Sequence, residues 1–432
     1  MIDKIEELET VFDTFYPKVP NPVNRERRIE RMEMFLEYLG SPEKDFRTYH
    51  VAGSKGKGST AAYLSSLLKG SGRKCGLYTS PHLFSVRERF TLSGIFFEDK
   101  DYIDTCNYLL EKTETFSFPQ SLGSQKPAEF EMYTAFAYLL FSRTGCTDAV
   151  IETGLGGRLD ATNTIRSSAV ILTPVELEHT ELLGNTIAEI AAQKAGIIRS
   201  EAPVFSYCQE KEALDVFRRK AEEMNAPFYY LPSYLSDFSS EMQEDGFLVS
   251  FSLDGIPYKL RLRMATDQMA MNAALAILAA EKLSVLTEKG LEELGKTQLP
   301  GRFERRRIDN SLVVIDTAHT PHSAKSTLEA FMKIPGCERK TLIFALAEGK
   351  REDEIIKTLF PYFDRVIITH TGSFRKSDPE RLFRKGKVLF PELDISVVDN
   401  PDDALNSALS VSSAILITGS FYLAGEMERL RK

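Results

Sequence analysis

Short, mostly apolar runs alternate along this chain with longer stretches of helical character, the pattern of an α/β fold. Residues 47–53 (RTYHVAG) predict a strand, and residues 57–72 (KGSTAAYLSSLLKGSG) the helix that follows it. Residues 148–154 (DAVIETG) and 168–175 (SAVILTPV) have the composition of buried parallel strands. Residues 247–263 alternate apolar and polar positions around Asp254-Gly255, which predicts a hairpin, and residues 272–283 (NAALAILAAEKL) predict a helix.

The pattern then restarts. Residues 311–319, 341–347, 365–370, 395–399 and 414–420 are strand-like runs separated by helical stretches, a second doubly wound unit. The polar segment 295–307 (GKTQLPGRFERRR) separates the halves and is taken as a linker, with the boundary near Gln298: one domain over 1–298, another over 299–432. Ligands in open α/β sheets bind beyond the carboxyl ends of strands, and several motifs fall there.

Composition narrows the classes. Of 432 residues, 43% are hydrophobic and 27% charged, ordinary for a globular chain with a full core. The net charge of −8 argues against nucleic acid as a main partner. No run approaches the ~20 apolar residues that span a bilayer, and the charged start MIDKIEELET has no signal-peptide core. The five cysteines (Cys75, Cys106, Cys146, Cys208, Cys337) are scattered and never form CxxC, which favours reduced thiols and a cytoplasmic protein.

The segment VAGSKGKGST (residues 51–60) lies between the predicted strand and helix, the context a phosphate-binding loop requires. Glycines Gly53, Gly56 and Gly58 let backbone N–H groups converge on an anion, with Ser54 and Lys55 between them, and the helix start adds a partial positive charge. Lys57 is placed to neutralise β/γ-phosphates, and Ser59 or Thr60 to assist at a magnesium ion. The fit to GxxxxGK[ST] is imperfect, because Gly58 stands where the hydroxyl belongs. Glu152 ends an apolar run beside Gly154, Gly156 and Gly157, a natural position for a magnesium ligand; the alternative is a cap or an ion pair with Arg158.

Further motifs follow in order: YTSPHLFSVRERF (78–90), IETGLGGRLDATN (151–163), TPVELEHTELLG (173–184), a QKAGII segment around Lys194, PGRFERR (300–306), DTAHTPHSA (316–324) and LITGSFYLAGE (416–426). On these motifs the chain resembles the folylpolyglutamate synthase/dihydrofolate synthase family, within the Mur-ligase group of ATP-dependent amide ligases. The resemblance covers nearly the whole chain. It implies a P-loop-containing, Mur-ligase-like central domain with a mostly parallel sheet and a smaller Rossmann-like C-terminal α/β domain. It also implies addition of L-glutamate to a folate, or to dihydropteroate, through an acyl phosphate.

The resemblance gives residues their roles. It puts Ser80 and Glu152 at a magnesium ion and His179 beside a second one. Lys194 resembles a lysine that is carbamylated in the family; the bland reading is a solvated helix lysine, although Gly196, Ile197 and Ile198 suggest a buried helix end. Lys57, Lys194 and His179 are the catalytic candidates. Asn272, Arg302, Asp316 and His319 join the loop residues as nucleotide contacts; the alternatives are a linker ion pair for Arg302 and a turn cap for Asp316. Tyr78 and Phe84 read as core rather than as a pterin platform. The implied partners are ATP, glutamate and a folate or pteroate acting on a monomer, with no nucleic acid or membrane.

Several positions depart from the family pattern: Ser54-Lys55 in the loop, Gln193 before the special lysine, and Thr317 and Thr320 in the second half. They bear on substrate identity more than on ATP. A ligase with another acceptor and a non-catalytic nucleotide binder are the competing expectations. Retention of every metal candidate argues against the latter.

Overall fold

Apolar runs too short for helices become the strands of two mainly parallel sheets. The computed structural model describes residues 1–14, 25–243, 246–336, 338–348, 351–371 and 377–429. The chain divides into two compact units. One comprises Met1–Asp237, Phe251–Pro257 and Met271–Leu294; the other comprises Phe238–Ser250, Tyr258–Ala270 and Gly295–Lys432.

The first unit is built on β1 (Arg47–Ala52), β2 (Cys75–Tyr78), β3 (Phe90–Leu92), β4 (Asp148–Glu152), β5 (Ser167–Leu172), β6 (Val204–Ser206) and β7 (Phe228–Tyr230). They lie in the order β3-β2-β4-β1-β5-β6-β7, and only the β2–β3 pair is antiparallel. A three-stranded sheet follows: β8 (Leu235–Gln243), β9 (Gly246–Leu253) and β10 (Ile256–Leu262). The hairpin expected at Asp254-Gly255 joins β9 to β10, with both residues at positive φ (53° and 80°), as a two-residue loop of matching twist requires.

The second unit carries β11 (Glu304–Ile308), β12 (Ser311–Ile315), β13 (Lys340–Phe344), β14 (Arg365–Ile368), β15 (Asp394–Val397) and β16 (Ala414–Thr418). Their order is β11-β12-β16-β13-β14-β15, parallel except for the antiparallel edge strand β11. This corrects the reading of 295–307 as linker: its last four residues belong to β11. Three successive arginines mask the strand, because the apolar–polar alternation that betrays a half-buried strand is missing.

The helix Lys57–Gly70 is buried over most of its length, with Ala61, Ala62, Tyr63, Leu64, Leu67 and Leu68 in the interior. The helix Asp267–Lys282 starts five residues before the run that predicted it. Four cysteines are free thiols, three of them buried (Cys75, Cys106, Cys146) and Cys208 exposed, while Cys337 lies outside the described residues. Among the described residues, no helix is long and apolar enough to cross a membrane.

A charge is built into the aromatic core of the first unit. Arg31, wholly buried on the helix Arg28–Tyr38, donates its Nε–H to Glu131 at 2.7 Å and lies 3.6 Å from the centroid of the Phe118 ring. Its other nitrogens donate to the carbonyls of Leu122, Ser124 and Lys126. One guanidinium thus ties a loop to two helices, and burial still pushes the Glu131 carboxyl up despite Arg31. Removing one partner of such a pair strands the other charge. Arg31→Met should lower unfolding stability by about 3–5 kcal/mol, read as an earlier urea midpoint; a midpoint unchanged within error would show that the pair is dispensable.

Candidate active site

Strand order places a crevice at β1. The chain leaves β1 for β2 on one side and later returns to β5 on the other, with β4 inserted between β2 and β1, so the carboxyl ends of β4, β1 and β5 meet at a switch point. Val51 is level with Glu152, and Ala52 with Leu172. Whatever follows these three strands is therefore gathered at one edge of the sheet.

From β1 comes the phosphate loop. A side chain on Gly53 would put its Cβ 1.8 Å from Thr173 Oγ1, which follows β5, so the loop passes where only glycine fits. Gly56 sits at φ +78° as N-cap of the helix Lys57–Gly70, and a Cβ there would meet the Asn272 amide at 2.9 Å. The first helical bond runs from Thr60 N–H to Gly56 O, so the N–H groups of Lys57, Gly58 and Ser59 precede it at the open helix end. That is an anion site by construction.

Side chains complete the loop. Lys57 folds back to donate to Gly53 O at 3.1 Å. Ser59 donates to Gly56 O and accepts from Asn272 Nδ2 at 2.9 Å, which brings the predicted Asn272 to the loop. Asn272 Oδ1 and Thr60 Oγ1 are buried with no hydrogen-bond partner, two polar atoms that a ligand or its hydration would satisfy. Ser54, one of the departures from the family pattern, exchanges bonds with the backbone of Glu176 (3.0 Å and 3.2 Å) and so straps the loop to the segment after β5. Lys55 donates its own N–H to Pro174 O.

Glu152, the last residue of β4, is buried and accepts from Ser80 N–H at 2.9 Å. A Cβ on Gly58 would come within 3.3 Å of its Oε2. The two expected magnesium residues are thus together at the helix start. Arg158 pairs with Glu26 (2.7 Å and 2.9 Å), not with Glu152. Hydroxyl and carboxylate oxygens suit a hard cation such as magnesium, which keeps several waters when bound.

Lys194 is not a solvated helix lysine. It is buried on the helix Ile187–Ala195, and its ammonium donates to Glu178 Oε1 at 3.0 Å. Burial pushes its pKa down to about 8, with Lys57 and Lys55 adding to the fall and Glu178 opposing it. Burial would raise the Glu178 carboxyl, but Lys194, Lys57 and Ser54 together hold it below the usual range. Nothing in VELEHTELLG distinguishes Glu178 from Glu176 or Glu181; only the fold brings it to Lys194.

His179 is placed differently. It stands at φ 45° before the short helix Thr180–Leu183, half exposed, with Nδ1 3.9 Å from Glu181. Among the described residues, no three His, Cys, Asp or Glu side chains are gathered as for a metal ion.

A cavity of about 300 Å³ opens beyond β4, lined among others by Arg25, Arg28, Phe130, Leu155, Asp160 and Gln193. Phe130 stacks near Tyr78 (centroids 6.2 Å apart), while Tyr78 itself is fully buried, as expected of a core residue; Phe84 is half-buried. Asp160 is buried and its carboxyl raised by burial, though Leu155 and Thr162 N–H groups donate to it. Gln193, another departure, faces this space.

In the second unit, Asp316 is a turn brace. It accepts from Phe303 N–H (2.9 Å), Ala318 N–H (2.9 Å) and Thr327 Oγ1 (2.8 Å), and burial pushes its carboxyl up. Arg302 donates to Thr317 Oγ1 at 2.8 Å, so the threonine that departs from the family pattern holds this arginine. His319 Nδ1 lies 2.8 Å from Thr317 O, and Thr320 caps the helix Pro321–Met332.

Known proteins resemble this chain in sequence and in fold. Residues 301–421 match the family described as Mur ligase, glutamate ligase domain. Dihydrofolate synthase/folylpolyglutamate synthase of Bacillus subtilis is 33% identical over 93% of this chain and 94% of its own. The folylpolyglutamate synthase crystal structure from Thermotoga maritima superposes with a TM-score of 0.86 at 28% identity, covering 98% of this chain and 96% of the other. The Mycobacterium tuberculosis folylpolyglutamate synthase complexed with ADP gives 0.84 at 27% identity over 99% and 98%. A third of its residues shared with the Bacillus subtilis protein along almost the full length of both places this chain in the dihydrofolate synthase/folylpolyglutamate synthase family.

Proposed function

We infer that this chain is an ATP-dependent ligase that joins L-glutamate to a folate or to dihydropteroate through an acyl phosphate. The observation that carries the reading is the open helix end at Lys57–Ser59, set beside Glu152 and a buried lysine–carboxylate pair.

A carboxylate is a poor acylating group. Transfer of the γ-phosphoryl to it forms a C–O–P bond, releases ADP and leaves phosphate as the group to be displaced. The amine of glutamate then forms the C–N bond, and phosphate departs as the ammonium proton is lost. There is little covalent work for the protein, so it positions reactants and stabilises charge. The N–H groups of Lys57, Gly58 and Ser59 receive phosphate oxygens, and Lys57 swings from Gly53 O to neutralise the β/γ-phosphates. Magnesium, when bound, screens the triphosphate; Ser80 and Glu152 would hold it, and Thr60 Oγ1, buried without a hydrogen-bond partner, is a further candidate oxygen in the first turn of the helix. Asn272 orients Ser59. Arg302 and His319 remain assigned to the nucleotide by resemblance, and Asp316 acts through the backbone it braces.

The cavity beside β4 is the proposed seat of the carboxylate acceptor. Phe130 offers a ring face, Arg25 and Arg28 offer cations, and Asp160 offers a carboxylate in a space of small-molecule size. Reduced thiols agree with a cytoplasmic enzyme of small-molecule partners.

The deciding experiment measures ADP release and product mass with folates or dihydropteroate, each with and without glutamate. Release that requires both acceptor and glutamate is expected, and Lys57→Ala should lower it about 100-fold or more in a chain that melts normally. ADP release indifferent to every acceptor would sink the ligase reading.

Glu152→Gln and His179→Ala test the metal assignments. Both should raise the magnesium concentration needed for half-maximal turnover, Glu152→Gln the more because its carboxylate is buried at the loop. Wild-type magnesium dependence in both variants would remove the assignments.

Lys194 allows two readings. The lowered pKa supplies the neutral amine that attacks CO₂, which supports a carbamate; the 3.0 Å contact with Glu178 favours the plain lysine as an ion-pair partner. A carbamate predicts loss of activity in CO₂-depleted buffer and recovery with bicarbonate. Because only the neutral amine reacts, recovery should accelerate with pH and level off above about pH 8, whereas a lysine at the ordinary 10.5 would keep gaining beyond pH 9. Full activity with an unmodified lysine mass leaves the ion pair as the role of Lys194.

A further inference from the structure

We propose that the second unit carries a binding site for a small oxyanion with two or more negative charges, in the cavity where Arg263, Arg305, Arg306 and Arg307 converge around the edge strand β11. The cavity is about 460 Å³, and Glu304 is the one carboxylate among the described residues that line it. That carboxylate is already engaged: Oε1 takes Arg306 and Oε2 takes Gly301 N–H at 3.2 Å.

Arg305 is the telling residue. Charged side chains commonly blunt an edge strand by standing in solvent, and exposed Arg307 fits that habit. Arg305 does not, because it is half-buried, and burial pushes its pKa down. Its guanidinium donates to Gln243 O at 3.3 Å and lies 3.7 Å from Met242 Sδ, a backbone carbonyl and a thioether rather than an anion. Holding a cation partly out of water opposite such partners is unfavourable until an anion joins it. Arg305 and Arg307 share one face of β11 by the two-residue period of a strand, opposite Val314 and Leu312 of β12.

The rest of the lining is compatible with a polar guest. Asn310 and Ser413 immediately precede β12 and β16, and residues 334–336 follow the helix that leads back to the amino ends of these strands. The cavity therefore lies at the opposite end of the sheet from Thr317 and His319, which follow the carboxyl end of β12. Guanidinium forks bind phosphate and carboxylate in paired bonds, so the class is set by charge and shape: a diphosphate or a di- or tricarboxylate. This site stands independently of the ligase reading.

Calorimetric titration of the full chain at fixed ionic strength tests it, with pyrophosphate as the phosphate probe and citrate as the carboxylate probe. The Lys57→Ala chain serves as parent so that the phosphate loop contributes less. At least one probe should bind, and Arg305→Gln with Arg307→Gln should weaken that binding about tenfold or more. Preference for pyrophosphate or for citrate identifies the source of the oxyanion. Asn310→Asp, on an exposed residue outside the strand ladder, provides the second variant should the arginine changes disturb folding, and it should weaken binding by adding a negative charge. Binding of neither probe to the parent, or equal binding by parent and the folded variants, overturns the proposal.

Discussion

The helix Lys57–Gly70 can present its N-terminus to a phosphate only because β1 delivers the chain into a turn with no room for a side chain. Gly53 passes against Thr173, and Gly56 against Asn272. These contacts come from the loop after β5 and from a helix more than two hundred residues further along. The open N–H groups are a local property of any helix start; their aim depends on this packing. The Ser54 bridge to Glu176 and the Asn272 bond to Ser59 hold the same approach from two sides.

Charge is organised around that loop. Burial pushes the Lys194 pKa down to about 8, Lys57 and Lys55 add to the fall, and Glu178, itself held down by Lys194 and Lys57, opposes it. An ammonium in water would have no reason to titrate near 8. Burial alone would lower it further, and Glu178 limits the fall. The 3.0 Å contact with Glu178 makes this lysine an ion-pair partner. The first unit handles another buried charge differently: Arg31 has Glu131, three carbonyls and a ring face, and carries no comparable ambiguity.

The second unit shows how a motif can persist while its parts take structural work. Asp316 braces Phe303, Ala318 and Thr327, so its carboxylate oxygens are directed at the protein. Thr317 and Thr320 make sense in the same terms, one holding Arg302 and the other capping a helix. The three arginines that precede this motif, Arg305, Arg306 and Arg307, belong to an edge strand, and their convergence with Arg263 is visible only once β11 is folded.

By itself the sequence determined the α/β class, the strand–loop–helix around Lys57, the Asp254-Gly255 hairpin and the neighbourhood of Glu152. Each is encoded locally, in apolar runs, glycine positions and turn residues that act within a few positions of themselves. Family motifs extended that reading to Ser80, Lys194 and Asn272. What only the tertiary structure decided concerns partners distant along the chain. That Lys194 meets Glu178, that Asn272 reaches Ser59, that Arg158 turns to Glu26, and that 304–308 form a strand all depend on which surfaces pack together. Burial, which pushes the pKa of Lys194 and of Arg305 down, is a property of that packing and has no signature at either residue alone.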